Sequence, residues 1–482
     1  MKSSKLKSFT RVLVTAMICL MLPAVGAEAN PAPGVAGLWQ GALKVSGVEL
    51  RIVFHVDKAD DGQLTATMDS PDQGATGIPV DECSFGDGKL KLTIKSITGG
   101  FEGTVKDDST IEGTWTQGGG SLPLVLKRIE KVEKVNRPQE PKPPYPYKEE
   151  EVTVENKTAG ITLAGTLTEP DSGGPFPAVV LITGSGPENR NEEIFGHKPF
   201  LVLADYLTRR GIAVLRCDDR GVGKSGGDAK TATTADLATD TKAEFEYLKT
   251  RKEIDPKRIG LLGHSEGGII APIVANEAPD VAFVVLMAGT GVPGDSVLML
   301  QSHLVAKAEG ASDSALATGA RTERTILDVV MTEPDSATAV TKLRLLVKQT
   351  LAQTPAADSQ TAKASEQTAE QQIETMLSPW FRYFLSYDPR PALMKLKQPI
   401  LAIVGGKDVQ VAPKENLAAI EAALKAGGNK DFTVKELPGL NHLLQTANTG
   451  GVGEYSKIEE TISPTALKVM GDWILAHTRT QK

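Results

Sequence analysis

Between about residues 37 and 130, apolar and polar residues alternate along the chain. The segments 49–56, 89–94 and 121–126 place an apolar side chain at nearly every second position, and Gly and Asp separate such segments. Period-two runs of this length predict short antiparallel strands. We therefore predict a small all-β domain over residues 30–130, a barrel or sandwich of seven or eight strands.

Residues 131–150 have a different composition. Proline, lysine and glutamate dominate this stretch, and it holds no apolar run. Such a composition is typical of an extended, semi-rigid linker. A docking motif for a partner is the alternative, but a domain boundary is the simpler interpretation.

From residue 151 to residue 482 the pattern changes to apolar strands that alternate with helices. Apolar runs at 178–182, 213–216, 281–287 and 400–404 predict buried strands, and the segments 198–210 and 233–250 have helical spacing of apolar residues. Buried strands alternating with helices are typical of a mostly parallel, doubly wound sheet. We predict an α/β domain here.

One segment interrupts this alternation, at about residues 296–396. It holds no strand candidate, and it predicts helices over 299–308, 315–331, 336–351 and 369–387. An insertion at this point follows a central strand and would lie at the carboxyl edge of the sheet, where open α/β sheets bind ligands. We expect a helical cap over a substrate pocket.

Residues 1–29 have the pattern of a secretory signal peptide. A positively charged start precedes an apolar stretch at 12–22, and Ala27-Glu28-Ala29 forms a cleavage site. The stretch is too short to span a bilayer comfortably. We expect an exported protein, periplasmic or secreted, with no stable membrane insertion after cleavage; a retained anchor is the alternative.

Composition narrows the classes of partner and cofactor. The net charge is −7 and no large basic block follows the N-terminus, which argues against a nucleic-acid-binding role. Beyond the signal segment only Cys83 and Cys217 remain, in different predicted domains, so no disulfide framework is indicated. The sequence has no cluster of Cys and His residues of the kind that forms a zinc site. We therefore expect no metal and no cofactor.

The strongest chemical motif is the pentapeptide 263–267, Gly-His-Ser-Glu-Gly. An apolar strand precedes it and a helix-forming apolar run follows it. This is the pattern of a nucleophile elbow, which lifts a serine hydroxyl above the sheet. The central Ser265 is therefore our predicted nucleophile.

A serine nucleophile needs a histidine base and an acid that holds the base. On the fold that carries such an elbow, these residues follow along the chain in the order nucleophile, acid, histidine. After Ser265 the histidines are His303, His442 and His477. Only His442 lies in a turn that follows a predicted strand, at residues 432–437. Asp408 follows the apolar strand at 400–404 in a glycine-containing turn, whereas Asp388 and Asp431 do not leave a buried strand. We predict Ser265, Asp408 and His442 as a catalytic triad.

The oxyanion of the tetrahedral intermediate needs two backbone N–H donors. We predict the amides of Glu266 and of Ser185, with Gly186 as the substitute for Ser185. A nearby Gly-Lys-Ser at 223–225 lacks the earlier glycine of a nucleotide-binding loop, because Asp218 stands there. We expect the 218–226 segment to brace the loops around the pocket instead.

Taken together, these motifs resemble those of the α/β-hydrolase superfamily from about residue 151 onward. The segments concerned are 181–187, 196–200, 218–223, 263–268 and 437–442, and they look most like exported bacterial carboxylesterases of the EstD kind, which carry a β-rich N-terminal domain. The resemblance implies hydrolysis of short-chain acyl esters through an acyl-enzyme. A serine peptidase on the same fold, or a protein that binds a ligand of the cell envelope, is the alternative. The expected partner is a small-molecule ester, and the sequence does not determine the oligomeric state.

Overall fold

The computed structural model describes residues 34–45, 48–59, 61–73, 75–117, 120–132, 136–308, 310–352, 369–370 and 372–479. The predicted signal peptide, residues 1–29, lies outside the described residues. The chain forms two compact units: one combines Met1–Lys134 with Glu333–Thr375, and the other combines Val135–Thr332 with Met376–Lys482. The predicted cap segment is therefore divided between the units.

The first unit is built on one antiparallel sheet of nine strands, more than the seven or eight predicted. Its order is β4-β3-β2-β1-β9-β8-β7-β6-β5. The strands are β1 (Gly37–Val45), β2 (Val48–Lys58), β3 (Leu64–Ser70), β4 (Ala75–Pro79), β5 (Glu82–Gly86), β6 (Lys89–Ile94), β7 (Gly99–Asp107), β8 (Thr110–Gln117) and β9 (Gly120–Ile129).

This sheet curls around a single apolar core. The ring of Phe54 on β2 lies 6.0 Å from that of Phe101 on β7 and 6.3 Å from that of Trp115 on β8. Strands β2 and β7 are four positions apart in the sheet, which would separate them by about 19 Å if the sheet were flat. Alternation of apolar residues along most of these strands supplies the inner face, so the prediction of a barrel-like β domain is confirmed.

The proline-rich segment before the second sheet is bound to the second unit. The guanidinium of Arg137 donates to the backbone oxygens of four residues, Phe195, Gly196, Ser456 and Ile458. The side-chain amide of Gln139 donates to the backbone oxygen of Ile462. These contacts fix the residues immediately ahead of the second sheet, so this part of the predicted linker is not a free spacer.

The second unit contains an eight-stranded sheet of order β10-β11-β13-β12-β14-β15-β16-β17. From β13 to β17 all neighbours are parallel, whereas β10 and β11 pair antiparallel at one edge. The strands are β10 (Tyr147–Asn156), β11 (Ile161–Pro170), β12 (Phe176–Ile182), β13 (Ala213–Cys217), β14 (Ile254–His264), β15 (Val284–Met287), β16 (Ile400–Gly405) and β17 (Phe432–Leu437).

Ten helices have defined bounds in the described part of the chain. They are α1 (Pro199–Thr208), α2 (Thr234–Lys249), α3 (Gly267–Glu277), α4 (Gly294–Ala308), α5 (Asp313–Thr332), α6 (Ser336–Ala352), α7 (Pro379–Ser386), α8 (Arg390–Lys395), α9 (Pro413–Ala426) and α10 (Pro464–Thr478). The helix predicted over 369–387 is interrupted before α7, because Ser378 leaves the helical conformation and caps α7 by accepting from the Phe381 amide.

Helices cover both faces of the second sheet, and each face has its own apolar core. The central strands alternate between the two cores: Val180 and Leu261 face one, whereas Val179 and Leu262 face the other. Because both faces are buried, these strands consist of continuous apolar runs. The predicted α/β-hydrolase architecture is confirmed. No described helix has the length and apolar character needed to cross a membrane.

Candidate active site

Ser265 occupies the sharp turn between β14 and α3. Its φ angle is +52°, in the left-handed region that a residue with a side chain rarely adopts. Its amide donates to the backbone oxygen of Met287 on β15 at 2.9 Å, and its own backbone oxygen accepts from the Gly268 amide at 2.9 Å. The predicted elbow is therefore present, with the serine side chain at the carboxyl edge of the sheet.

The flanking glycines are required by close backbone approach. A Cβ on Gly263 would collide with the backbone of Gly267, and a Cβ on Gly267 would collide with the backbone oxygen of Ile182 on β12. The strand, the turn and the helix are therefore packed backbone to backbone around Ser265.

Asp408 and His442 are in direct contact. Nδ1 of His442 is 2.7 Å from Oδ2 of Asp408, and both side chains are buried. Oδ1 of Asp408 accepts from the amides of Gln410 and Val411, each at 2.8 Å. Three donors thus fix the carboxylate, and the carboxylate orients the imidazole.

The turns that carry these two residues are held together by their backbones. The Lys407 amide donates to the backbone oxygen of Leu440 at 2.8 Å. A Cβ on Gly405 would collide with the backbone oxygens of Leu440 and Asn441. The glycine at the end of β16 therefore permits the acid turn and the histidine turn to meet.

The residues that the sequence argument set aside lie elsewhere. Asp388 forms an ion pair with Arg390 at 2.7 Å. His477 is 3.4 Å from Asp431, and neither of them lines the cavity described below. His303 is exposed on α4.

Ser265 and His442 line one cavity of about 220 Å³, together with Ser185 and Glu266 of the predicted oxyanion hole. Residues 183–188, which we call the oxyanion loop after their predicted role, lie beside Ser265, because a Cβ on Gly184 would be 3.4 Å from Cβ of Ser265. The structure thus brings Ser265, His442 and the two segments of the predicted oxyanion hole to one place. Asp408 lies behind His442.

Asp219 braces the oxyanion loop, as predicted for its segment. Oδ1 of Asp219 accepts from the Thr183 hydroxyl at 2.7 Å, and Oδ2 accepts from the Glu188 amide at 2.9 Å. Burial raises the pKa of Asp219 to about 7, and these two hydrogen bonds oppose that rise. Both ends of the loop are thus attached to one buried carboxyl group.

Two helices of the insertion cover the cavity. Helix α4 contributes Val297, Leu298 and Gln301, and helix α7 contributes Trp380, Phe381 and Phe384. The prediction of a cap is confirmed for these helices. Their side chains give the cavity an apolar wall opposite the nucleophile.

The side chain of Glu266 connects the elbow to the cap. Its carboxylate accepts from the Thr234 hydroxyl at 2.6 Å and from Nε1 of Trp380 at 2.9 and 3.0 Å, and the Ser185 side chain donates to it as well. Burial raises the pKa of Glu266, whereas the hydrogen bonds from these donors lower it and so reduce the net rise. The residue after the nucleophile therefore joins the elbow, the oxyanion loop and α7.

Three further ionisable side chains of the cavity wall were not identified from the sequence: Glu188, Glu192 and His264. Among the described residues, Oε2 of Glu188 and Oε2 of Glu192 are buried without a hydrogen-bond partner. Burial first, and then the charge of Glu192, raises the pKa of Glu188 well above its usual range. His264 belongs to the pentapeptide itself, but the two glutamates follow β12 in a loop without any recognisable motif.

Within the part of the chain that the structure describes, no group of three or more His, Cys, Asp or Glu side chains is arranged to hold a metal ion. Cys83 and Cys217 are free thiols, the first half-buried and the second buried. Burial raises the pKa of both thiols. A buried neutral thiol is a poor nucleophile.

Comparison with known families gives a match over residues 198–447, more than half of the 482-residue chain, to the model described as "Serine aminopeptidase, S33". The matched region includes Ser265, Asp408 and His442, and it begins after Ser185.

Individual proteins give more distant matches. Esterase EstD of Thermotoga maritima is 26% identical over 314 residues, which are 65% of this chain and 63% of the esterase, so the match spans somewhat less than two thirds of that relative. The predicted resemblance to EstD-like esterases is thereby confirmed. Among solved structures, an α/β hydrolase of Penicillium, GrgF, is 17% identical with a TM-score of 0.41, covering 69% of this chain and 99% of that one. A proline iminopeptidase of Mycobacterium smegmatis is 15% identical with a TM-score of 0.42, covering 68% and 99%.

Proposed function

The chain belongs to the family "Serine aminopeptidase, S33", and we propose that it is a serine hydrolase that cleaves short-chain acyl esters. The observation that carries this proposal is the 2.7 Å contact of His442 with Asp408 in the wall of the cavity that Ser265 also lines. The similarity to an esterase supports ester over amide as the scissile bond.

In the first half-reaction Ser265 acts as the nucleophile. His442 accepts the hydroxyl proton while Oγ of Ser265 bonds to the ester carbonyl carbon, and the electron pair of the carbonyl moves to its oxygen. The amides of Glu266 and Ser185 hold this oxyanion. The carbon–oxygen bond of the ester then breaks, and His442 protonates the departing alcohol.

In the second half-reaction water replaces the alcohol. His442 takes a proton from water as the water oxygen attacks the carbonyl carbon of the acyl-enzyme. The oxyanion that forms accepts hydrogen bonds from the same two backbone amides. The bond to Ser265 breaks, the carboxylic acid leaves, and Oγ regains its proton from His442. Asp408 keeps the imidazole in one tautomer throughout both steps.

Replacement of the nucleophile tests this proposal directly. Ser265→Ala should lower kcat for p-nitrophenyl acetate or butyrate by about 10⁶-fold, because the covalent step is lost. A fluorophosphonate probe should label the parent protein and not the variant. Ser314→Ala, at an exposed position on α5 away from the cavity, is a matched control and should keep the activity of the parent protein. Undiminished turnover by Ser265→Ala would contradict the assignment.

A second candidate is an aminopeptidase, favoured by the two buried carboxyl oxygens that have no partner in the described cavity wall. A substrate ammonium group could take the place of the missing donors of Glu188 and Glu192. The raised pKa of Glu188 favours a neutral carboxyl group when no cation is bound, so we place the neutral ester first.

A substrate panel distinguishes the two candidates. Purified protein should hydrolyse p-nitrophenyl esters faster than p-nitroanilides of amino acids that have free amino groups. If free-amine anilides are the better substrates, and N-acetylation abolishes their cleavage, the aminopeptidase replaces the esterase.

We also propose that the protein is exported, since residues 1–29 have the pattern of a signal peptide. Protein isolated from an expressing bacterium should begin at Asn30 by intact-mass measurement. A mass that includes the first 29 residues would contradict this proposal.

A further inference from the structure

A second carboxylate–histidine pair lies in the wall of the same cavity. Nδ1 of His264 is 2.7 Å from Oε1 of Glu192, and these residues are only 4% and 1% exposed. Nε2 of His264 is 3.2 Å from the backbone oxygen of His442, and the two imidazole rings lie 4.9 Å apart. The pair therefore contacts the backbone that carries the proposed base.

The same pair also contacts the oxyanion loop. Oε1 of Glu192 accepts from the Gly184 amide at 3.0 Å in addition to His264. Gly184 precedes the proposed oxyanion donor Ser185 and lies against Cβ of Ser265. One carboxylate oxygen thus connects the loop on one side of the nucleophile to the histidine turn on the other side.

Both neighbours of the His264 ring are hydrogen-bond acceptors. Nδ1 faces a carboxylate oxygen and Nε2 faces a carbonyl oxygen. A neutral imidazole has a single N–H, so one of its nitrogens would direct a lone pair at an acceptor. Only the doubly protonated ring donates to both partners.

The charges around His264 agree with this protonation state. Three groups face the His264 ring: Glu192 from the loop after β12, Asp408 from the turn after β16, and His442. Glu188 lies beside Glu192. Burial by itself would lower the pKa of His264, but the charge and hydrogen bond of Glu192, followed by the His442 carbonyl and Asp408, raise it.

His197 supplies an internal contrast, because it is also fully buried. Nε2 of His197 is 2.8 Å from the backbone oxygen of Tyr455, and Nδ1 is 3.1 Å from the Thr461 hydroxyl, which can donate. Nε2 also lies 3.0 Å from the side-chain amide nitrogen of Gln445, so among the described residues the ring contacts uncharged polar groups and no carboxylate. Burial, with no carboxylate in contact, lowers the pKa of His197 to about 4.

We propose that Glu192 and a cationic His264 form a positioning pair, which holds the backbones of His442 and Gly184 in register with Ser265. This inference rests on the proposed serine hydrolase function. It assigns to the second residue of the pentapeptide a role apart from the proton transfers of the triad.

The pair has a definite pH dependence. A raised pKa in the folded protein means that the contribution of His264 is present below its unfolded pKa and is lost as pH rises through the folded value. Beyond that point Nε2 no longer donates to His442 while Nδ1 keeps the proton that faces Glu192. Activity should then decline because the histidine turn is released.

The first test reads the protonation state without using activity. In protein labelled with ¹⁵N-histidine, two-bond ¹⁵N–¹H spectra distinguish an imidazolium from the neutral tautomers. As the pH rises through the ordinary histidine pKa of about 6.5, His264 should remain an imidazolium after His197 is already neutral. His264→Gln and His197→Gln assign the two signals. A neutral His264 at the ordinary histidine pKa overturns the proposal.

The second test uses Glu192→Gln, with Glu193→Gln as the matched control one residue along the chain. Glu192→Gln should lower kcat by about 10- to 100-fold with little change in KM, as expected for misplaced catalytic groups. It should also shift the alkaline limit of kcat/KM to lower pH, and Glu192→Asp should restore part of that limit. The control should match the parent protein.

The outcomes separate this inference from the proposed function. If the parent protein turns over esters and Glu192→Gln has a superimposable pH profile, the positioning role is wrong and the hydrolase assignment stands. If the parent neither cleaves esters nor reacts with a fluorophosphonate, the hydrolase assignment fails, and the role inferred from it fails as well. The spectra then still report whether the buried cation exists.

Discussion

The Asp408–His442 pair and the Glu192–His264 pair have the same 2.7 Å contact between Nδ1 and a carboxylate oxygen. They differ in the surroundings of the carboxylate and in the position of the ring. Both oxygens of Asp408 have hydrogen-bond partners, two backbone amides on Oδ1 and His442 on Oδ2, whereas Oε2 of Glu192 has no partner among the described residues. His442 follows the last strand in a turn, whereas His264 ends β14, where its second nitrogen meets a carbonyl oxygen.

This difference shows that a carboxylate–histidine contact does not by itself define a catalytic base. A histidine base transfers protons at the ring nitrogen that does not face the carboxylate. That nitrogen, Nε2 in both pairs, must therefore not be bound permanently to the protein. Nε2 of His264 is engaged by the backbone of His442, which excludes it from proton transfer in this conformation. Substitutions in the two pairs should therefore differ in their effect on kcat.

The largest effect is expected from the first pair. Asp408→Asn should lower kcat by about 10⁴-fold, because an amide that donates toward Nδ1 favours the wrong tautomer of His442. The corresponding change in the second pair, Glu192→Gln, should cost at least tenfold less. Steady-state kinetics on p-nitrophenyl butyrate compares them. Equal losses would mean that the two pairs are not functionally distinct.

An intermediate effect concerns the buried histidine that contacts no carboxylate. Because the pKa of His197 falls to about 4 in the folded protein, its contribution is present above the unfolded pKa of about 6.5 and is lost as pH falls toward 4. This window corresponds to about 3 kcal/mol of unfolding free energy. Between about pH 6.5 and pH 4 the unfolding temperature of His197→Gln should therefore fall less steeply than that of the parent protein.

Thermal unfolding of the parent and the variant at a series of pH values measures this slope. His303→Gln, at an exposed position on α4, serves as the control and should keep the slope of the parent protein. An unchanged slope in His197→Gln would show that His197 does not titrate as its burial implies.

The smallest effect is expected where the cap meets the elbow. Trp380→Phe removes the N–H that donates to Glu266 and leaves a buried carboxylate with fewer donors, at a cost of about 1–3 kcal/mol. The unfolding temperature and kcat/KM should both fall, the latter through the oxyanion loop that Glu266 also contacts. Phe381→Leu changes the same wall without removing a polar contact. Equal effects of the two variants would contradict a polar role for Trp380.

Much of the fold could be predicted because its signals are local. Alternation of apolar residues predicted the β domain, and apolar runs predicted the central strands of the second sheet. The ninth strand of the first sheet was missed because short exposed strands such as Ala75–Pro79 bury little and lack a clear period. The interruption at Ser378 was missed because a cap residue within a helical pattern resembles an ordinary polar position.

The triad could be predicted from order and spacing, because a nucleophile elbow and the turns after two parallel strands constrain their residues locally. Glu192 could not be predicted in this way. It stands in an irregular loop with a φ angle of +52°, and its partner His264 is 72 residues away in the sequence. Only packing of the loop beneath β14 places the two side chains together.

The sequence alone determined Ser265 as the proposed nucleophile, because the glycines needed for the turn are adjacent to it in the chain. It also pointed to Asp408, which follows the apolar run of β16, and to His442, which stands in a turn after β17. Only the tertiary structure decided the environment of His264 and of the Glu266 side chain. A hydrogen bond depends on distances of a few ångströms between segments far apart in sequence, and that proximity is created by folding.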